Sequence, residues 1–95
     1  MRVYIAAPND EAREEMLAKA KKTFGDDIVT VNSFEYTGAT APSTCKSTKL
    51  WSLARAIEQL STADVIVVRQ DFRYNPCTEI PLLCAKRFDI QILVV

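Results

Sequence analysis

Four short apolar runs along the chain predict β-strands. They span residues 2–7, 28–31, 65–68 and 90–95 and are rich in β-branched and aromatic side chains. Their apolar residues are nearly continuous and do not alternate with polar ones. Such strands are typical of a parallel sheet that is covered on both faces.

Amphipathic segments between these strands predict helices. Residues 10–24 repeat apolar side chains at helical spacing, with Asn9 or Asp10 available as N-cap and Gly25 placed just after the C-terminus. A second helix is predicted from a capping Ser47 or Thr48 to Ser61. Its expected apolar stripe comprises Leu50, Leu53, Ala54, Ile57 and Leu60.

A third helix is predicted over residues 79–87, with Thr78 as N-cap and with Ile80, Leu83, Cys84 and Arg87 along one side. This start keeps Pro81 within the first turn, where the missing N–H of proline would have no partner in any case. A start at Asn75 would place Pro81 about six residues into the helix, at a cost of roughly 3 kcal/mol.

The alternation of strands and helices predicts an α/β fold. We expect a short four-stranded parallel sheet in the order 2-1-3-4, flanked by three helices, which is a flavodoxin-like arrangement with right-handed crossovers. The 95 residues are expected to form a single domain. Residues 32–48 form a long connection of small and polar residues, a length that is typical of a lid, a binding loop or a disordered segment.

Composition excludes several classes of function. The 12 basic and 12 acidic residues balance, which argues against nucleic acid or an anionic membrane as the main partner, and no apolar run reaches the roughly 20 residues of a membrane span. Three cysteines in no framework spacing favour a reducing, cytoplasmic compartment. The chain has no histidine, which excludes histidine-based triads and histidine-ligated metals. No metal and no cofactor are predicted.

The expected strand order places a ligand site at the carboxyl ends of strands 1 and 3, where the order reverses. The facing segments run from Ala6 to Asp10 and from Arg69 to Glu79. The guanidinium groups of Arg69 and Arg73 suit a phosphate. The candidate ligand-binding residues in these segments are Ala7, Pro8, Asn9, Arg69, Arg73 and Asn75.

Glu79 is a carboxylate at the start of the third predicted helix, on the ligand edge of the sheet. The amides of a helix N-terminus stabilise negative charge there, so Glu79 is a candidate nucleophile or a partner for a cationic transition state. Acids are also common in first turns because they stabilise the helix, and that interpretation stays open.

The order of these motifs resembles a known group. A strand "VYIAAP", a helix containing Trp51, the segment "ADVIVV" and a glutamate opening the next helix are similar to the nucleoside 2-deoxyribosyltransferase-like superfamily, and closest to its small domains that begin "YIAGP". The resemblance implies that Glu79 is the catalytic nucleophile, that Tyr4 orients its carboxylate, and that Asp71 contacts the base or the sugar. The chain departs from that pattern at "AAP" and at Asn75-Pro76-Cys77, which replaces a glycine-containing segment.

Two functions are therefore expected. The first is N-glycosyl transfer or hydrolysis of a nucleoside or nucleotide through a glutamate nucleophile, and the alternative is a non-catalytic module that binds a nucleotide or a nucleotide-derived signal. A homo-oligomer, most simply a dimer, is also expected, because the apolar segment "IQILVV" would form an unprotected edge strand.

Overall fold

A computed structural model describes residues 1–7, 10–31, 43–44, 46–70 and 76–95; for residues 48, 49, 52 and 76–78 it describes the backbone alone. The elements are β1 (Arg2–Ile5), α1 (Asp10–Phe24), β2 (Val29–Thr30), α2 (Thr48–Leu60), β3 (Val65–Val68), α3 (Pro76–Arg87) and β4 (Gln91–Val94). The predicted alternation of strands and helices is confirmed. Most of the predicted loop at 32–48 lies outside the described residues.

Four parallel strands form one sheet in the order β2-β1-β3-β4, as predicted. Tyr4 pairs with Ile66 on β3, and Ile66 pairs in turn with Ile92 on β4. The strands are shorter than the apolar runs, but hydrogen bonds extend the sheet past β1 and β4, where Ala6 N donates to the Val67 carbonyl and Val95 N to the Val68 carbonyl. The order reverses between β1 and β3, which fixes the ligand edge where the sequence predicts it.

Each strand contributes side chains to two apolar layers. Val3, Ile5 and Ala7 pack under α1 against Ala12, Met16 and Ala20. Tyr4 and Ala6 point the other way, into a layer that also contains Ala56, Leu60 and Ala85 from α2 and α3. One helix therefore covers one face of the sheet, and two helices cover the other.

The predicted C-terminus of α1 and both predicted ends of α2 are confirmed. Gly25 follows α1 with φ of 96°, a conformation that favours glycine, and its N–H donates to the Lys21 carbonyl at 2.8 Å. Ser47 is the N-cap of α2, where its Oγ accepts from Leu50 N at 3.3 Å. Ser61 is the C-cap of the same helix.

The predicted start of α3 is wrong. The helix begins at Pro76 and not after a Thr78 cap, so Pro81 lies inside it and cannot donate to the Cys77 carbonyl. Two features favour the earlier start. Proline is well suited to the first helical position, which Pro76 occupies. The Pro81 ring is among the most fully buried side chains of the protein, and this packing offsets the lost hydrogen bond.

The predicted apolar stripes of α2 and α3 are wrong in part. On α2 the buried residues are Ala56 and Leu60, whereas Leu50 is 67% exposed. On α3 the buried residues are Pro81 and Ala85, whereas Leu83 is 56% exposed. The buried faces combine the small residues Ala56 and Ala85 with Leu60 and Pro81, whereas Leu50 and Leu83 lie on exposed sides of their helices. Apolar periodicity locates a helix better than it locates the face that is buried.

Candidate functional site

The carboxyl ends of β1 and β3 form the candidate site. These strands are neighbours, and the chain passes from β1 into α1 and from β3 into α3 at this edge. Five candidate residues from the connecting segments lie outside the described residues, and their predicted roles stay predictions. They are Pro8, Asn9, Asp71, Arg73 and Asn75. Four candidates are described: Tyr4, Ala7, Arg69 and Glu79.

Tyr4 lies within the sheet and is only 1% exposed. Its side chain enters the layer between the sheet and helices α2 and α3, beside Ala6 and Ala85. A buried tyrosine hydroxyl is normally hydrogen-bonded, and its aromatic ring contributes strongly to packing. Tyr4 is therefore a core residue by burial, and its side chain points to the side of the sheet on which α3 lies.

Arg69 follows β3 directly and turns to the α1 side of the sheet. One of its guanidinium nitrogens, Nη1, lies 3.4 Å from Oε2 of Glu15 on α1. The other oxygen of Glu15, Oε1, lies 3.3 Å from Nζ of Lys19. Glu15 thus joins two cations at the ligand edge. The sequence gives no sign of this contact, since Glu15 and Arg69 lie 54 positions apart.

Glu79 lies in the first turn of α3 and is exposed to solvent. At 100° per residue, Glu79 lies about 160° around the helix from the buried Pro81. Its side chain therefore leaves α3 on the outer side of the helix. The backbone amides at the helix start favour an anion at this position, as the sequence predicts.

The first turn of α2 carries a further aromatic group, Trp51. Trp51 is half-buried, and the guanidinium carbon of Arg55 lies 5.1 Å from the centroid of its ring. This is a cation–π contact within one helix.

The four described candidates fall on two sides of one edge. Ala7 and Arg69 lie on the α1 side, where Ala7 is 4% exposed and packs against the α1 layer. Tyr4 and Glu79 belong to the side formed by α2 and α3. Among the described residues, no cluster of three or more histidine, cysteine, aspartate or glutamate side chains is arranged to hold a metal ion. The described groups offer carboxylate, guanidinium and phenol chemistry.

Comparison with known proteins bears on the fold. No protein-family profile matches the sequence, and no curated protein matches it. A solved structure does match: the 2-deoxyribosyltransferase of the psychrotolerant bacterium Bacillus psychrosaccharolyticus, with a TM-score of 0.60 and 13% sequence identity. The alignment covers 99% of this chain and 71% of that one. The chain has the fold of a 2-deoxyribosyltransferase.

That enzyme is described as a biocatalyst for the synthesis of antiviral and antitumoral nucleosides. The match concerns the fold, which in this chain is a parallel sheet in the order β2-β1-β3-β4. In the part of the chain that the structure describes, no helix is both long enough and apolar enough to cross a bilayer.

Proposed function

We propose that this protein belongs to the nucleoside 2-deoxyribosyltransferase-like superfamily and cleaves the N-glycosidic bond of a nucleoside or nucleotide. The observation that carries the proposal is the match of 99% of the chain to a 2-deoxyribosyltransferase fold. A carboxylate in the first turn of α3, after the strand at which the sheet order reverses, is consistent with it.

The proposed reaction is a double displacement. A Glu79 oxygen forms a bond to the anomeric carbon while the carbon–nitrogen bond to the base breaks, and the base leaves with that electron pair and takes up a proton. The glycosyl-enzyme ester is then attacked by a second nucleobase, which gives transfer, or by water, which gives hydrolysis. Either acceptor loses a proton and releases the Glu79 carboxylate.

Two residues of the chain are assigned supporting roles. Tyr4 would orient the carboxylate of Glu79 through its hydroxyl, and this role requires the Glu79 side chain to turn from the outer side of α3 towards the layer in which Tyr4 is buried. Asp71, at the connection after β3, would contact the base or the sugar. Ala7, at the end of β1, would form the floor of the site through its backbone and its small side chain.

A second candidate function is a non-catalytic module that binds a nucleotide or a nucleotide-derived signal. Two observations favour it: the Glu79 side chain lies on the outer side of α3, and Arg69 brings a guanidinium group to the ligand edge. Guanidinium groups pair well with phosphate oxygens. In this case Arg69 would exchange its ion pair with Glu15 for a contact with the phosphate when the ligand binds.

We also propose a cytoplasmic location, which the cysteine content favours. A homo-oligomer is proposed as well, because β4 is an edge strand with Val94 49% exposed.

The two functions are separated by Glu79→Gln, assayed for base release and base exchange on a panel of nucleosides and nucleotides beside calorimetric binding. If Glu79 is the nucleophile, turnover falls at least about a hundredfold, a loss of nearly 3 kcal/mol of transition-state stabilisation. If the protein only binds, the parent shows no turnover and the substitution changes affinity alone.

The matched control is Glu58→Gln, which neutralises an exposed glutamate in the last turn of α2. It should leave turnover and binding unchanged. Equal effects of the two substitutions, or no turnover and no binding in any of the three proteins, would contradict both functions and leave Glu79 with a helix-stabilising role.

A further inference from the structure

The outer face of α3 combines exposed apolar side chains with charges of both signs. Leu83 is 56% exposed and Ile80 36% exposed, on the side of the helix opposite the buried Pro81 and Ala85. Glu79 lies near the start of this face, and Lys86 and Arg87 lie in the last turn. All three charged side chains are exposed.

The order of these residues is symmetric about Leu83. With a rise of about 1.5 Å per residue, Glu79 and Arg87 lie about 6 Å before and after Leu83 along the helix axis. Ile80 and Lys86 lie about 4.5 Å before and after it. At 100° per residue, Glu79 and Lys86 flank Leu83 on one side, and Ile80 and Arg87 flank it on the other.

We propose that a second copy of this chain binds here, with its α3 antiparallel to the first and a two-fold axis passing at Leu83. This operation places Leu83 against Leu83 of the second copy. Glu79 then faces Lys86 of the second copy, and Ile80 faces the aliphatic part of the Arg87 side chain. Each contact occurs twice, as in any isologous interface.

A second copy fits this face better than an unrelated protein because the pattern is complementary to itself. In a parallel arrangement Glu79 would face Ile80 of the second copy and Lys86 would face Arg87, which leaves the acid without a basic partner and brings two cations together at a cost in electrostatic energy. In the antiparallel arrangement each acid meets a base around an apolar centre, and the helix dipoles oppose one another. The apolar centre with a charged rim is the usual plan of a protein interface.

The association is expected to be weak. The outer face of one three-turn helix buries less than the roughly 800 Å² per partner of a typical stable complex. We therefore expect a dimer that dissociates in the micromolar range and weakens as salt screens the rim charges. The pairing of Glu79 with Lys86 of the second copy would occupy the carboxylate that the glycosyl-transfer proposal uses as nucleophile, so the interface accords with the second candidate function, the binding module. Association itself is measured without any nucleoside.

The first experiment is sedimentation velocity over a range of micromolar concentrations, with Leu83→Arg beside the parent protein. We expect the parent to show a concentration-dependent dimer, and Leu83→Arg to weaken association at least roughly tenfold because two like charges then meet at the centre of the interface. The matched control is Leu50→Arg, which changes a leucine that is 67% exposed on α2 and should leave the dimer intact. Circular dichroism checks that both variants fold.

The second experiment tests the antiparallel arrangement by exchanging charges. Glu79→Lys and Lys86→Glu should each weaken the dimer, because each places like charges opposite one another, and the double variant should restore it. A parent that stays monomeric at high micromolar concentration, or a dimer that tolerates Leu83→Arg, would overturn the inference. A double variant that stays as weak as the single variants would overturn the antiparallel register.

Discussion

Polar residues at the two ends of the sheet make different kinds of contact. At the amino end, Asp64 Oδ2 accepts from Arg2 N at 2.8 Å, and Asp64 N donates to the Arg2 carbonyl at 2.8 Å. The Arg2 side chain also donates to the Thr62 carbonyl at 2.9 Å. These contacts involve the backbone, join the starts of β1 and β3, and set the register of the sheet.

At the carboxyl end, the charged groups contact side chains. Arg69 lies 3.4 Å from the Glu15 carboxylate, which is itself 51% exposed and shared with Lys19. Exposed ion pairs of this kind contribute little to stability, so their partners are exchanged at small cost. The contacts at the amino end therefore hold the strands together, whereas the carboxyl end carries charged side chains that are available to bind a ligand.

Among the following substitutions, the largest effect is expected at the carboxyl end of the sheet. Tyr4→Phe removes one hydroxyl and keeps the buried ring. If the hydroxyl orients Glu79, the change removes a hydrogen bond to a charged group, and kcat/KM for base release falls roughly tenfold to a hundredfold, or about 1.5–3 kcal/mol. The loss of stability, measured by urea unfolding, should stay near about 1 kcal/mol. Unchanged turnover beside reduced stability would make Tyr4 a core residue only.

The second-largest effect is expected at the amino end of the sheet, where α1 ends. Gly25→Ala places a side chain at φ of 96°, and the added Cβ meets nothing within 4 Å, so the cost is conformational and not steric crowding by neighbours. We expect a loss of about 1–2 kcal/mol in the free energy of unfolding. Ligand affinity should not change, because Gly25 lies at the end of the sheet opposite the candidate site. Altered affinity would show that the two ends are coupled.

A smaller effect is expected from Asp64→Ala. This change removes the acceptor of the Arg2 amide, and because the site is exposed to water the expected loss is about 0.5–1.5 kcal/mol. Chemical denaturation measures it, with Asp26→Ala in the exposed turn after Gly25 as control. A loss no larger than in the control would contradict the role assigned to the amino end.

The smallest effect on stability is expected from Arg69→Gln. The ion pair with Glu15 is exposed, so its loss should change the free energy of unfolding by no more than about 0.5 kcal/mol. Calorimetry with a nucleoside and its monophosphate then tests the ligand edge. Weaker binding of the monophosphate alone would show that Arg69 recruits a phosphate, and equal binding of both ligands before and after the change would contradict that role.

The sequence predicts the site less completely than the fold. It identifies the edge of the sheet, because strand order follows from the alternation of elements and the handedness of crossovers. It does not reveal that Glu15 holds Arg69, since ion pairs between distant segments leave no local pattern. It also does not show that Glu79 lies on the outer side of α3, because that depends on which face of the helix is buried.

Local chemistry determined the strands and the helix ends at Gly25 and Ser47. Each depends on backbone conformations or hydrogen bonds that a few neighbouring residues set for themselves. Tertiary packing decided the start of α3 and the buried faces of α2 and α3. The burial of the Pro81 ring offsets the hydrogen bond that α3 loses at this proline. Ala56 on α2 and Ala85 on α3 lie in the buried layer against the sheet, although larger apolar residues stand beside them in the sequence. These features depend on the residues that each helix packs against, and those residues lie in distant segments of the sequence.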